Sequence, residues 1–204
     1  MDTRVQRQIW YSTLLIIICL SACTTMPPTS APPLSPELSW HDRQIILSRI
    51  QNWQLNGKVA VQTAQDSGSA SVNWVQNNKQ YTISLLGPLG TGGFKLTRQL
   101  TGVSLETSDG KHYTANNPEQ LLAEQWGFHL PISSLRYWIR GLPVSGISYT
   151  KQLDIHHRLM TLTQQGWQIQ FLSYSKVGVI DLPNKMVIAS PLLKAKLIIY
   201  RWNV

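Results

Sequence analysis

The chain has 204 residues, of which 43% are hydrophobic and 14% are charged, and its formal net charge at pH 7 is +8. No run of five or six lysines or arginines concentrates that charge, so the composition argues against a nucleic-acid-binding surface. Two cysteines are too few for a disulfide framework, and a stable domain must therefore rely on its hydrophobic core.

The first residues have the pattern of a lipoprotein signal peptide. A basic start with Arg4 and Arg7 precedes an apolar run at residues 9–20, and two small residues lead to Cys23. That run is shorter than the roughly 20 residues that span a bilayer. We expect cleavage after residues 1–22, attachment of diacylglycerol to the thiol of Cys23 and acylation of its freed amine. An ordinary secretory signal with a chance cysteine is the alternative.

The residues after the cysteine predict the location and the tether. Thr24 stands where an aspartate would usually retain a Gram-negative lipoprotein at the inner membrane, so we expect the periplasmic face of the outer membrane. Residues 23–36 contain five prolines and no charged residue. Such a segment is extended, with a reach of about 40 Å at about 3.1 Å per residue. Residues 37–204 are then long enough for one domain with its own core.

The charge of the remaining chain suits an acidic partner. Removal of Asp2, Arg4 and Arg7 with the signal leaves 16 basic and 9 acidic residues. A moderately basic surface is compatible with anionic phospholipid headgroups or an acidic protein. Solubility alone would explain the same charge equally well.

The domain begins with a predicted helix and continues with strands. Ser35 or Ser39 can cap the helix, and Ile46, Ile50 and Trp53 fall at helical spacing. From Leu55 the hydrophobic period changes to two, which predicts an antiparallel meander with turns at 76–78 and 109–110.

Two short helices interrupt the strands. One runs from Asn117-Pro118 to Gly127, and the other from Pro131 to Gly141. After Pro143 the strand pattern returns and continues to Trp202. The sequence therefore predicts an α+β single domain, with one long curved antiparallel sheet and a few helices on one face.

The sequence offers little support for catalysis or metal binding. Asp154, His156 and His157 are titratable, but a strand would point them to opposite faces, and a solvated turn is the simpler reading. Residues 87–93 are rich in glycine without a phosphate-loop pattern, and no G-x-S-x-G or C-x-x-C motif occurs. We therefore predict a protein that is not an enzyme and needs no cofactor or metal.

Two apolar features remain to be explained. Pro88, Leu89 and Gly90 lie in a predicted loop between strands, where the leucine either folds back on the sheet or points out toward lipid or a partner. Seven tryptophans follow Cys23. Core packing is the default for each of them, but their number also suits a cavity for an apolar guest.

Several segments resemble one known family. They are Tyr81 with Leu85, residues 88–90 (PLG), residues 110–115 (GKHYTA), residues 134–143 (SLRYWIRGLP) and residues 196–202. Together they are similar to the outer-membrane lipoprotein receptor family LolB, from about Trp40 to the end of the chain. Residues 134–143 are the most specific part of this resemblance.

The resemblance implies a fold and a function. The expected fold is a curved, half-open antiparallel β-barrel of about eleven strands, covered by about three helices and enclosing an apolar cavity. The expected function is acceptance of lipoproteins from the periplasmic carrier LolA and their insertion into the inner leaflet of the outer membrane. Implied partners are lipidated cargo proteins, LolA and outer-membrane phospholipid, with no nucleic acid, and the protein is expected to be a monomer.

The resemblance also implies roles for individual residues. Leu89 matches a loop leucine that matters for membrane insertion of the cargo, with Pro88 and Gly90 beside it. The candidate acyl-chain cavity consists of Trp74, Ile83, Leu85, Phe94, Leu96, Leu121, Leu122, Leu135, Trp138, Ile139, Trp167 and Ile169. A lipid-anchored assembly or scaffold protein without lipid transfer is the alternative function, since it needs no such cavity.

Overall fold

The computed structural model describes residues 38–90, 92–127 and 130–204. The predicted signal peptide at residues 1–22, the lipidation site Cys23 and the tether at residues 23–36 lie outside the described residues.

The described part of the chain forms one sheet of eleven strands with three α-helices, as predicted. The helices are α1 (Trp40–Arg49), α2 (Pro118–Trp126) and α3 (Ile132–Trp138). The strands are β1 (Asn52–Thr63), β2 (Ser67–Asn77), β3 (Gln80–Leu86), β4 (Gly93–Gln99), β5 (Gly102–Thr107), β6 (His112–Ala115), β7 (Tyr149–Leu153), β8 (Leu159–Gln164), β9 (Trp167–Val177), β10 (Ile180–Ala189) and β11 (Leu193–Asn203). None of the described helices has the length and hydropathy needed to cross a bilayer.

The strand order is β6-β5-β4-β3-β2-β1-β11-β10-β9-β8-β7, and every described pair is antiparallel. The first and last strands of the chain, β1 and β11, therefore pair at the centre of the sheet. Within the described residues β6 and β7 form the two edges of the order and do not pair with each other, so the barrel is half open.

The sheet has two ends that differ in their loops. At the end that we call the mouth end, the connections are residues 64–66, 87–92, 108–111, 165–166 and 190–192. At the opposite end, which we call the far end, they are residues 78–79, 100–101, 154–158 and 178–179. This arrangement follows from the antiparallel pairing, because each hairpin returns the chain to the end from which it started.

The helix boundaries follow their capping residues. The hydroxyl of Ser39 accepts a hydrogen bond from the amide of Asp42 at 3.1 Å and begins α1. In α2 the side chain of Asn117 accepts from the amide of Gln120 at 2.7 Å, and Gly127 ends the helix with φ of 72°. These boundaries confirm Ser39 as the start of the first helix and the predicted start and end of the second, whereas α3 ends at Trp138 and not at the predicted Gly141.

One detail of the predicted first helix is wrong. Ile50 is the residue that ends α1, and Trp53 lies in β1, so neither contributes to an apolar face of the helix. The buried residues of α1 are instead Arg43 and Leu47. Helical spacing continued across the helix end by chance, because the alternating pattern of β1 begins only three residues later.

Candidate functional site

The inner face of the sheet and the helices enclose an apolar cavity of about 130 Å³. The strands place alternate side chains on this face, as the period of two requires. The helices contribute side chains from α2, α3 and the segment between them. The eighteen lining residues are all hydrophobic: Leu55, Val59, Val61, Val72, Trp74, Ile83, Leu85, Phe94, Leu96, Leu122, Leu130, Ile132, Leu135, Ile139, Ile188, Leu193, Ala195 and Leu197.

The cavity opens toward the mouth end of the sheet. The lining residues nearest that end, including Val59, Val61, Leu85 and Phe94, are only half-buried. Deeper lining residues, such as Leu55, are fully buried. A long apolar molecule could therefore enter between the helices and the mouth end of the sheet.

Aromatic rings close the interior at the far end. The ring centroids of Trp53 and Trp74 are 5.3 Å apart, and those of Trp53 and Trp202 are 5.5 Å apart. Tyr81 extends this cluster, with its centroid 5.9 Å from that of Trp74. Burial raises the pKa of Tyr81 well above its ordinary value, so the phenol stays neutral at physiological pH.

The loop that carries the predicted insertion leucine lies at the mouth of this cavity. Residues 88–90 form a 3₁₀ turn, in which the amide of Gly90 donates to the carbonyl oxygen of Gly87 at 3.1 Å. The positive φ values of Gly90 and Gly92, 75° and 66°, favour glycine at both positions. Pro88 and Gly90 are exposed, and the side chain of Leu89 lies outside what the structure describes.

Eight of the twelve predicted cavity residues line this cavity, and four do not. Trp74, Ile83, Leu85, Phe94, Leu96, Leu122, Leu135 and Ile139 are brought together there. Leu121, Trp138, Trp167 and Ile169 are also buried, but they belong to the surrounding core. Ten further residues that line the cavity were not predicted, among them Leu55 and Ala195, although their alternation in β1 and β11 could have identified them.

A polar anchor occupies the half of the interior around β8 and β9. The indole of Trp138 donates to Oε1 of Gln164 at 2.9 Å, and the same oxygen accepts from the amide of Val144 at 2.8 Å. The side-chain nitrogen of Gln164, Nε2, donates to the carbonyl oxygens of Val144 and Ile147, both at 3.0 Å. Trp138 also contacts Trp167, with ring centroids 6.3 Å apart. These directional bonds fix that half, whereas the cavity half is held by apolar contacts.

A charged cluster stabilises the far end near β7 and β8. Arg158 pairs with Asp154 at 2.8 Å and with Asp181 at 3.5 Å, and Arg43 of α1 lies 3.7 Å from the same oxygen of Asp181. Residues 155–157 form a turn, as expected for this segment, and Asp154 accepts hydrogen bonds from the amides of His156 and Arg158. The cluster is thus internally compensated. No group of three potential metal-ligating side chains forms among the described residues.

A second, larger depression of about 570 Å³ lies at the far end, between α1, the turn at residues 78–79 and residues 142–149. Its wall includes Lys79, Arg136, Arg140 and several polar side chains. Polar side chains that interrupt an apolar wall must stay hydrated or hydrogen-bonded, so the smaller cavity, whose lining is wholly hydrophobic, is the candidate site for fatty chains.

Comparison with known proteins agrees with this geometry. A family model described as "Outer membrane lipoprotein LolB" matches residues 51–202. An outer-membrane lipoprotein LolB from Pseudomonas putida is 40% identical over 164 residues, which are 80% of each chain. The protein of that name from Nitrosococcus oceani is 33% identical over 192 residues, covering 94% of this chain and 95% of that relative.

Solved structures with similar folds are much more distant in sequence. A LolA superfamily protein from Nitrosomonas europaea superposes with a TM-score of 0.52 at 8% identity, covering 82% of this chain and 94% of that chain. A DUF1329 family protein from Desulfovibrio piger gives a TM-score of 0.51 at 6% identity, with coverage of 80% and 91%. At such identities the similarity concerns the fold, which is the half-open antiparallel sheet.

Proposed function

This chain belongs to the LolB family, and from that premise we propose that it is the outer-membrane receptor that accepts lipoproteins from the periplasmic carrier LolA. It is itself a lipoprotein, anchored through Cys23 to the inner leaflet of the outer membrane, and residues 23–36 tether the domain. It inserts the acyl chains of its cargo into that leaflet without a catalytic step. The observation that carries this proposal is the wholly apolar cavity that opens beside the loop of residues 87–92.

The energetics of the cargo explain why such a cavity is needed. Each methylene removed from water contributes about 0.8 kcal/mol, so the dozens of methylenes in a triacylated protein cannot cross the periplasm unprotected. The cavity can shelter part of a chain without demanding polar geometry. Release into the membrane is favourable if the cavity binds the chains less well than the bilayer does, and the handover then needs no nucleotide.

The cavity must widen to take up acyl chains. Its volume of about 130 Å³ is below the roughly 300–1,000 Å³ of pockets that enclose drug-sized ligands. We propose that α2 and α3 move together away from the strands that line the cavity, because the amide of Ser133 donates to the carboxylate of Glu119 at 2.8 Å and links the two helices. Their contacts with the cavity-lining strands are apolar and can separate, whereas the hydrogen bonds of Trp138 to Gln164 and of Ser134 to Gln165 keep α3 attached near β8 and act as its hinge.

A matched pair of substitutions tests the cavity. Ala195 on β11 lines the cavity, whereas Ala60 on β1, directly opposite Lys196 in the register, is exposed on the outer face. Replacing either alanine by leucine adds the same isopropyl group. Ala195→Leu fills part of the cavity and lowers acyl-chain uptake several-fold, while Ala60→Leu leaves uptake unchanged.

The measurement is transfer of a lipoprotein from loaded LolA to the receptor and then to liposomes. Melting temperatures of both variants would be recorded to show that each remains folded. Equal transfer by Ala195→Leu, Ala60→Leu and the natural protein would exclude the cavity as the acyl site. Normal sorting of outer-membrane lipoproteins after depletion of this protein would overturn the receptor function itself.

A further inference from the structure

The hairpin between β10 and β11 carries an exposed leucine at the mouth end of the sheet. Leu192 is 80% exposed and follows Pro191, which is also exposed. The turn is held internally, because the hydroxyl of Ser190 accepts from the amides of Leu192 and Leu193 at 3.4 Å and 3.2 Å. The amide of Ser190 also donates to the carbonyl oxygen of Leu193 at 2.8 Å. A defined turn therefore presents an apolar side chain to solvent.

Two lysines follow this leucine on the outer face of β11. The alternating burial of the strand turns Leu193, Ala195 and Leu197 inward and leaves Lys194 and Lys196 exposed. In the register, Lys194 lies opposite Gln62 and Lys196 opposite Ala60, so β1 places no carboxylate beside them. Neither lysine forms an ion pair with any residue that the structure describes.

The wider outer face has the same sign of charge. Strands β1, β2 and β11 contain no aspartate or glutamate. Lys58 and Lys185 flank Ile198 in the register from the two neighbouring strands. The adjacent β1–β2 hairpin carries one carboxylate, that of Asp66, whose Oδ1 accepts a hydrogen bond from the amide of Ser67 at 2.7 Å. The three exposed lysines of β1 and β11, Lys58, Lys194 and Lys196, therefore leave this region with a net positive charge.

Exposed apolar tips also occur at the far end, so exposure alone does not choose a surface. Leu100 is 82% exposed and Ile155 is 81% exposed there. Those tips lie at the end that the aromatic rings close, and Asp154 is next to Ile155. Of these three residues, only Leu192 lies at the cavity mouth and also precedes a strand that carries lysines without an ion-pair partner among the described residues.

We propose that the β10–β11 hairpin is a second membrane contact, in which Leu192 enters the lipid and Lys194 binds anionic phospholipid headgroups. This proposal rests on the proposed receptor function. Together with the loop of residues 87–92, the hairpin would hold the cavity mouth against the bilayer. A tip leucine with a neighbouring basic residue is the chemistry of interfacial anchoring.

The strand geometry predicts a gradient among the lysines. At about 3.4 Å per residue, Lys194 lies about 7 Å from the tip, Lys196 about 14 Å, and Lys58, opposite Ile198, about 20 Å. The Debye length at physiological ionic strength is about 8 Å. Lys194 should therefore contribute most to the contact, Lys196 less, and Lys58 almost nothing.

The test uses the full-length lipidated protein in vesicles. Because the thiol of Cys23 is expected to be blocked by lipid, a cysteine replacing Leu192 can carry an environment-sensitive NBD fluorophore at a unique site. The same label in Leu100→Cys is the control, since both leucines are about equally exposed. Emission and quenching by aqueous and lipid-borne quenchers would be compared in phosphatidylcholine vesicles with and without phosphatidylglycerol.

We expect the label at position 192 to enter the lipid in the anionic vesicles and the label at position 100 to stay in water. Adding Lys194→Gln to the labelled protein should lower the ratio of lipid-inserted to water-exposed label at position 192 roughly five-fold, and only in anionic vesicles. Lys58→Gln removes the same charge from the same face and should change this ratio less than two-fold.

Three outcomes would overturn the proposal. In the first, the label at position 192 stays in water. In the second, the labels at positions 192 and 100 behave alike. In the third, LolA shields the label at position 192 in solution while vesicles do not, which would make the hairpin a binding surface for an acidic protein. Lipoprotein transfer would be measured in the same vesicles. If lipoprotein transfer proceeds while the label at position 192 stays in water, only the second membrane contact is rejected. If the label enters the lipid but no lipoprotein is transferred, the receptor function is rejected.

Discussion

The guanidinium of Arg140 donates a hydrogen bond to the carbonyl oxygen of Leu47, 3.1 Å away, and so joins residues 134–143 to the last turn of α1. The same nitrogen reaches the carbonyl oxygen of Ile50, and Nε donates to the carbonyl oxygen of Arg136 at 2.9 Å. A cation at a helix C-terminus meets the negative end of the helix dipole. Burial lowers the pKa of Arg140 to about 10, so it remains charged at neutral pH.

Replacing this arginine should destabilise the domain. Arg140→Met keeps much of the apolar stem but leaves buried carbonyl oxygens without their donor, at about 1–3 kcal/mol for each unsatisfied group. We expect the free energy of unfolding to fall by about 2–4 kcal/mol in urea titrations. Arg201→Met, at an exposed position of β11, should change it by less than about 0.5 kcal/mol. Equal losses in the two variants would show that Arg140 has no special role.

The Asp154–Arg158 pair predicts a pH-dependent contribution to stability. Burial tends to raise the pKa of Asp154, but hydrogen bonds from the amide and guanidinium of Arg158 outweigh it and leave the pKa below its usual value. The contribution is therefore fully present above the unfolded-state pKa of about 3.9 and is lost as the pH falls through the lower folded-state pKa. Asp154→Asn should cost about 1.5–3 kcal/mol at pH 7 and less at an acidic pH below the folded-state pKa of this carboxyl.

The control for this prediction is Asp66→Asn. Asp66 is exposed, and asparagine keeps the oxygen that accepts from Ser67. We expect little change in unfolding free energy at either pH. A cost of Asp154→Asn that did not shrink in acid would mean that the lost interaction is not the ion pair with Arg158.

Gly57 predicts a steric effect at the junction of β1 and β11. The register shifts between Asn56 and Gly57, and a Cβ at Gly57 would lie 2.2 Å from the carbonyl oxygen of Ile198. Because that obstacle is backbone, Gly57→Ala must separate the two central strands locally, and we expect a loss of about 2 kcal/mol or more. Gly68→Ala on β2 has open space around it and should be nearly neutral by thermal unfolding. A neutral Gly57→Ala would show that the strands adjust freely.

Much of the fold could be predicted from the sequence because its signals are local. Alternating hydrophobic residues, the caps at Asn117 and Gly127, and the turn at residues 109–110 each depend on neighbouring residues. The pairing of β1 with β11 is different, because no local pattern joins strands separated by most of the domain. Only the family resemblance indicated the half-open barrel.

The cavity residues were harder to predict for the same reason. Alternation tells which side chains face inward, but not which inward side chains leave a space between them. Trp138 and Leu135 are both buried on α3, yet Gln164 holds the first in a packed region while the second lines the cavity. Gln164 had no sequence signal of its own, since a glutamine near a strand end normally faces solvent.

The loop at residues 87–92 yields the prediction that separates uptake from delivery. Leu89→Glu places a carboxylate where the proposed function requires contact with lipid, and an ionised carboxylate strongly resists leaving water. The cavity residues are unchanged, so transfer from LolA to the receptor should proceed normally. Delivery from the receptor to liposomes should fall about ten-fold or more, given a cost of a few kcal/mol for an acidic group in the bilayer.

Both steps can be followed with one radiolabelled lipoprotein, first by its loss from LolA and then by its flotation with liposomes. Leu100→Glu is the control, because it introduces the same charge in a loop at the far end of the sheet. If Leu89→Glu slowed the first step as well, the loop would belong to the docking surface for LolA. If delivery were unchanged, membrane insertion would not depend on this leucine, and the hairpin at Leu192 would be the next apolar contact to test at the cavity mouth.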